Sequence, residues 1–215
     1  MKKTLFVLVF ALVFFAASIA MAKVNFGVKY FSLTNLTNTS FGEVFTQNNN
    51  QILGMNLGFD VTPQVVILAG LELNSLSWKE EITVGEESEE AKLNISSFTP
   101  NVGVKYYLKE RTDNSVCPYL FGGFFKTFTS VDATNYMGFT KEEEDLIKGV
   151  NSPFGLVPAF GAEYFFSENF SFGGELGLRV SFAKGDYTVT EPSATYSQTY
   201  NTINQYVALT LNFRF

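Results

Sequence analysis

From Val207 to Phe215 the chain alternates without a slip. Val207, Leu209, Leu211, Phe213 and Phe215 are large and apolar, while Ala208, Thr210, Asn212 and Arg214 between them are small or polar. A period of two puts the two sets on opposite faces of a β-strand. The same alternation runs through Leu53–Val61 and Phe170–Val180, and less cleanly through Val24–Leu33, Ile67–Asn74, Val102–Leu108 and Phe154–Phe166. A soluble barrel would point its bulky apolar residues inward. Here the opposite face carries Gly, Ala, Ser, Asn, Glu, Lys and Arg, which suits a narrow polar interior with the apolar face turned to lipid.

Eight strands are expected, near residues 23–33, 51–61, 65–78, 93–108, 117–128, 153–166, 170–182 and 200–215. The connections 62–64, 109–116 and 167–169 are short. Those over 34–50, 79–92, 129–152 and 183–199 are long and hydrophilic. Short and long links alternate strictly, as in an up-and-down antiparallel transmembrane β-barrel with tight turns at one rim and longer loops at the other. Only a closed barrel satisfies every strand hydrogen bond inside a bilayer. Pro100 and Pro158 fall within strands and are expected at bulges or where a strand leaves the membrane.

The first 22 residues read as a cleaved signal peptide: Lys2 and Lys3, an apolar run from Leu5 to Phe15, then Ala20-Met21-Ala22. This leaves one barrel domain over residues 23–215. Removing Lys2 and Lys3 from the 15 basic residues leaves 13 against 21 acidic, a net charge of −8. That balance argues against nucleic-acid partners, which are held by excess Lys and Arg. Cys117 is the single cysteine, so no internal disulfide forms. With no histidine in the chain, the usual near-neutral base is missing. No enzyme activity, metal or cofactor is expected.

The charged residues at small-residue parity are Lys29, Glu72, Lys105, Glu163, Glu175 and Arg179. Lys126 is assigned with them, although Phe124 and Phe128 would then crowd the same face. These seven are expected to form a lumen charge network, because eight strands leave a bore that side chains fill and charges inside it must pair. Glu175 and Arg179 share a face but stand too far apart to pair readily, so their partners should lie across the lumen. Residues 141–148 read as a helical turn with acid–base pairs at one-turn spacing. Phe59, Tyr106, Tyr119, Tyr164, Phe166, Phe213 and Phe215 near the short turns, and Trp78, Phe128 and Phe182 near the long loops, read as two interfacial girdles.

The segments Phe154–Glu175, Pro118–Gly123 and Leu211–Phe215 together resemble the outer membrane protein β-barrel domain family, which includes OmpX-like barrels and the membrane domain of OmpA. The resemblance implies residence in the outer membrane among lipid and lipopolysaccharide, as a monomer. It also implies that Val207, Leu209, Leu211, Phe213 and Phe215 are an assembly signal for the barrel-assembly machinery. The role expected is structural or one of surface interaction, with a salt-bridged lumen. A narrow channel for small solutes and a soluble periplasmic ligand-binding barrel stay open as alternatives.

Overall fold

The computed structural model describes residues 23–35, 50–84, 87–134, 141–189 and 194–215. The expected signal peptide, 1–22, lies outside them. The strands are β1 (Val24–Asn35), β2 (Asn50–Asp60), β3 (Val65–Val84), β4 (Glu87–Tyr107), β5 (Ser115–Lys126), β6 (Phe128–Thr134), β7 (Phe154–Ser167), β8 (Phe170–Val189) and β9 (Ala194–Arg214). One helix, α1 (Lys141–Val150), stands between β6 and β7. Each strand pairs antiparallel with its neighbours, and β1 pairs with β9 from Asn25 opposite Arg214 to Asn35 opposite Asn204. The sheet thus closes on itself.

β5 and β6 are one strand of the ring. Both pair with β4 in a single register, Asn101 opposite Phe125 and Phe98 opposite Phe128. They part only at Thr127, whose N–H donates to Pro153 O at 2.7 Å. Counted so, the ring has the eight expected strands. Pro100 sits level with this break, where a missing N–H removes least from the ladder. Pro158 lies at no bulge, contrary to expectation: the β7–β8 ladder omits Val157 and Pro158 and resumes in the same register at Ala159 opposite Gly177. The shift in register falls instead between Phe165 and Ser167.

Three tight turns close one rim. Thr62 Oγ1 accepts from the N–H groups of Gln64 and Val65, at 3.2 and 3.0 Å, which folds the first turn around its own threonine. Asn114 adopts a φ of 53°, a region asparagine tolerates better than most residues. Its N–H donates to Phe165 O at 2.7 Å, tying the second turn to β7.

At the opposite rim the long links differ from expectation. Residues 79–92 are mostly strand: β3 and β4 stay paired up to Val84 opposite Glu87. β8 and β9 likewise stay paired to Val189 opposite Ala194. Helix α1 also runs two residues further than the expected 141–148. It packs on the upper part of β8, where Gly149 and Gly185 allow close approach. A methyl on Gly149 would lie 2.7 Å from Gly185 Cα.

The outer face carries a continuous apolar belt that includes Leu53, Leu73, Val102, Leu120, Leu156, Phe160 and Leu209, all exposed. A band of this kind is far larger than soluble monomers display. Its upper edge is marked by Phe98, Phe128, Phe154 and Phe182. Beyond that edge the polarity inverts: Ser75, Ser77, Asn94, Ser96 and Ser130 point out, while Leu93, Ile95 and Val131 are buried inside. The strands have left the bilayer there.

Candidate functional site: the lumen

Inward-facing positions fill the bore with stacked layers, each built around one carboxylate. Glu163 on β7 is 1% exposed. It pairs with Lys105 on β4, and its Oε2 accepts from Tyr107 (2.8 Å) and Ser171 (3.1 Å). Glu175 on β8 accepts from Lys29 Nζ (3.0 Å) and Tyr206 (2.7 Å) at one oxygen and from Tyr119 (3.0 Å) at the other. Glu72 on β3 accepts from Arg179 Nη1 at 2.7 Å and from Asn101 Nδ2 at 3.2 Å. Each of these three carboxylates therefore meets one cation and at least one neutral donor, which is what burial of a charge demands.

Glu175 and Arg179 do not pair with each other. Lys29 and Lys105 each reach a carboxylate two strands away around the ring. Arg179 and Glu72 stand on opposite sides of it.

Lys126 corrects its assignment. In β5 the inward residues are Cys117, Tyr119, Phe121, Phe125 and, beyond the strand, Thr127, whereas Leu120, Phe124 and Phe128 point out. Lys126 shares the outward parity, and its ammonium donates to Ser152 O at 2.5 Å. Tyr119 is corrected in the other direction: it belongs to no girdle and is 1% exposed inside the lumen. The side chain of Trp78 lies outside the described residues.

The interior is also more aromatic than expected. Phe31, Phe125 and Tyr206 group with Ile52, Val157 and Ala208, while Tyr107, Tyr119 and Phe165 group with Val66 and Cys117. These rings are where the cations rest. Lys105 Nζ lies 4.3 Å from the Tyr119 centroid, Lys29 Nζ 5.0 Å from Phe121, and the Arg179 guanidinium 3.7 Å from Phe125. Ring faces attract a desolvated cation that water no longer reaches. Gly161 makes room for this packing, since a Cβ there would come within 2.5 Å of the Tyr119 ring.

A cluster that sequence reasoning missed seals the turn rim. Asp60, at the end of β2, takes Arg111 Nη1 at 2.9 Å, Asn25 Nδ2 at 2.7 Å and Arg214 Nη2 at 2.5 Å. Arg111 also donates to the carbonyls of Pro63 and Thr62 and lies 5.0 Å from the Tyr107 ring. Its side chain is 4% exposed although it belongs to a turn. The sequence signals are the inward parity of Asp60 at the end of Leu53–Val61 and that of Arg214.

Above Glu72–Arg179 the bore opens into a vestibule of about 220 Å³, overhung by Val150, Asn151 and Pro153 at the end of α1. Val207, Leu209, Leu211, Phe213 and Phe215 of the final strand all face outward in or below the belt.

Among solved structures, OprG from Pseudomonas aeruginosa superposes with a TM-score of 0.56 at 12% identity, over 90% of this chain and 96% of that one. Outer membrane protein W of E. coli gives 0.53 at 14% identity, over 90% and 98%. No curated protein matches the sequence. Both structural relatives are outer membrane proteins, and the exposed apolar belt excludes the soluble periplasmic barrel. The outer membrane protein beta-barrel domain family matches residues 6–215, so this chain belongs to that family and resides in the outer membrane.

Proposed function

We propose that this protein is a non-conducting, non-catalytic barrel with a structural or surface-interaction role, its bore plugged by side chains. The plug is formed by Lys29, Glu72, Lys105, Glu163, Glu175 and Arg179 with the aromatic rings around them. The observation that carries this reading is the complete burial of consecutive layers: Glu163, Tyr119 and Phe125 are each 1% exposed. A hydrated ion has no way between them. Each carboxylate is locked by partners on other strands, so opening a path would break several buried charge-assisted hydrogen bonds together.

The remaining proposals follow from the N-terminal residues and from the resemblance. The first 22 residues are removed on export, the final strand from Val207 to Phe215 is read by the assembly machinery, and the mature barrel is a monomer among lipid and lipopolysaccharide. The two hairpins that continue past the belt present the surface available for contact outside the cell. Planar-bilayer recording with the purified barrel tests the plug. The expected trace shows no unitary conductance, and reproducible steps from the wild-type protein would establish a channel instead.

A further inference from the structure

The vestibule above Arg179 is a blind pocket with hydrogen-bonding capacity to spare. Two facing walls supply it. On β8 and β9 the rungs Arg179 opposite Asn204 and Ser181 opposite Thr202 point inward. On β3 and β4 the rungs are Glu72 opposite Thr99 and Asn74 opposite Ser97. Thr99 and Thr127 satisfy each other at 2.9 Å, and Ser97 meets Thr129 at 3.4 Å. The side chains of Asn74, Ser181, Thr202 and Asn204 make no side-chain hydrogen bond among the described residues. A cavity lined by uncommitted amides and hydroxyls favours a ligand that offers them partners.

We propose that this vestibule binds a small, uncharged, polyhydroxylated solute of about monosaccharide size. Charge decides against ions: among the described residues Glu72 and Arg179 are the charged side chains lining the cavity, and each neutralises the other at 2.7 Å. An anion approaching Arg179 meets the Glu72 carboxylate, and a cation approaching Glu72 meets the guanidinium. Polarity decides against an apolar solute, which would leave the four open side chains stranded. The β1 and β2 wall contributes Leu33 and Ile52, a surface for the C–H face that a sugar ring presents opposite its hydroxyls. Size follows from the volume, about 220 Å³, below the roughly 300 Å³ at which sites for drug-sized ligands begin.

The floor makes it a receptor and not a passage. Phe125 lies directly against Arg179 on the side away from the cavity, with Phe31 and Tyr206 beside it, all nearly fully buried. The proposal thus stands apart from the plugged-barrel reading: binding needs no conduction, and conductance recording tests the plug alone.

The test is a titration of the isotope-labelled, folded barrel in detergent micelles, following backbone amides by NMR. Glucose is the probe, with acetate and hexanol as the anionic and apolar comparators. Glucose is expected to shift the amides of Ser97, Ser181, Thr202 and Asn204 saturably at millimolar concentration, while the comparators leave them in place. Thr202→Val, nearly isosteric, should weaken glucose about three- to tenfold, the worth of one hydrogen bond. Ser181→Phe should abolish the response by filling the cavity. If that variant fails to fold, Thr202→Val together with Asn204→Leu carries the comparison. An equal or larger response to acetate or hexanol overturns the proposal. So does the absence of any glucose shift, or a glucose response unchanged in the variants.

Discussion

Arg179 and Glu72 meet across the full width of the barrel, Nη1 to Oε2 at 2.7 Å, from strands four places apart in the eight-strand ring. The contact is buried at Arg179 and half-buried at Glu72, and removing one partner leaves the other as an unpaired charge. Arg179→Met is therefore expected to cost about 3 kcal/mol or more, while Arg179→Met with Glu72→Leu recovers a large part of it. Urea unfolding of the barrel in micelles, followed by the gel-mobility shift on boiling, measures both. A double variant no more stable than the single one would count against mutual neutralisation.

Lys29 and Lys126 separate by the same assay. Lys29 serves the buried Glu175 and should cost about 3 kcal/mol when changed to Met. Lys126 lies on the outer face near the belt edge, so Lys126→Gln should cost about 1 kcal/mol or less. Equal losses would return Lys126 to the lumen.

Close contact between α1 and β8 depends on Gly149. Gly149→Leu drives a side chain into the Gly185 backbone, and overpacking of this kind costs about 1–3 kcal/mol locally. The expected result is faster proteolytic cleavage within α1, with the boiling-dependent mobility shift of the barrel unchanged. Cleavage at the wild-type rate would mean that the helix does not rest there.

Cys117 is fully buried between the rungs of β5 and β7. A maleimide should not label it in the folded barrel and should label it fully after boiling in detergent. Labelling of the unboiled protein would place the thiol outside the lumen.

On the extension of β8, beyond the belt, hydrogen bonds from Ser197 and Lys184 hold the Asp186 carboxyl below its usual range. A lowered carboxyl pKa stabilises the folded form above the unfolded value, and that contribution is lost as the pH falls through the folded one. Ser197→Ala should move the Asp186 titration upward, as followed by side-chain carboxyl chemical shifts. No movement would mean that Ser197 is not its principal donor.

Where one side of a strand meets lipid and the other a filled bore, the sequence is plain to read. Val207 to Phe215 shows this without ambiguity, and so do Leu53 to Phe59. Legibility fails where that contrast fades. In β5, Phe121, Phe124 and Phe125 put rings on both faces, and Gly122-Gly123 carries no parity, so the sequence does not distinguish the outer face on which Lys126 lies. Past the belt the polarity inverts, with Ser75, Ser77, Asn94 and Ser96 outside and Leu93 and Ile95 inside, and the glutamate-rich stretch from Lys79 to Lys92 looks like a loop although its backbone is paired. The Asp60–Arg111–Arg214 seal joins residues remote in sequence through a turn arginine, which no periodicity marks. The inward rings of Phe31 and Phe125 follow from volume: a bore that must be filled takes aromatic bulk where cations need a surface.

The unbroken pairing of β3 with β4 turns what looked like a slack loop into a mast. From Ser75 to Val84 it rises roughly 30 Å along the strand direction, at about 3.3 Å per residue, from the edge of the apolar belt. Anything carried between Val84 and Glu87 would stand clear of the lipid headgroups, which makes that junction the natural mooring for a displayed epitope on intact cells.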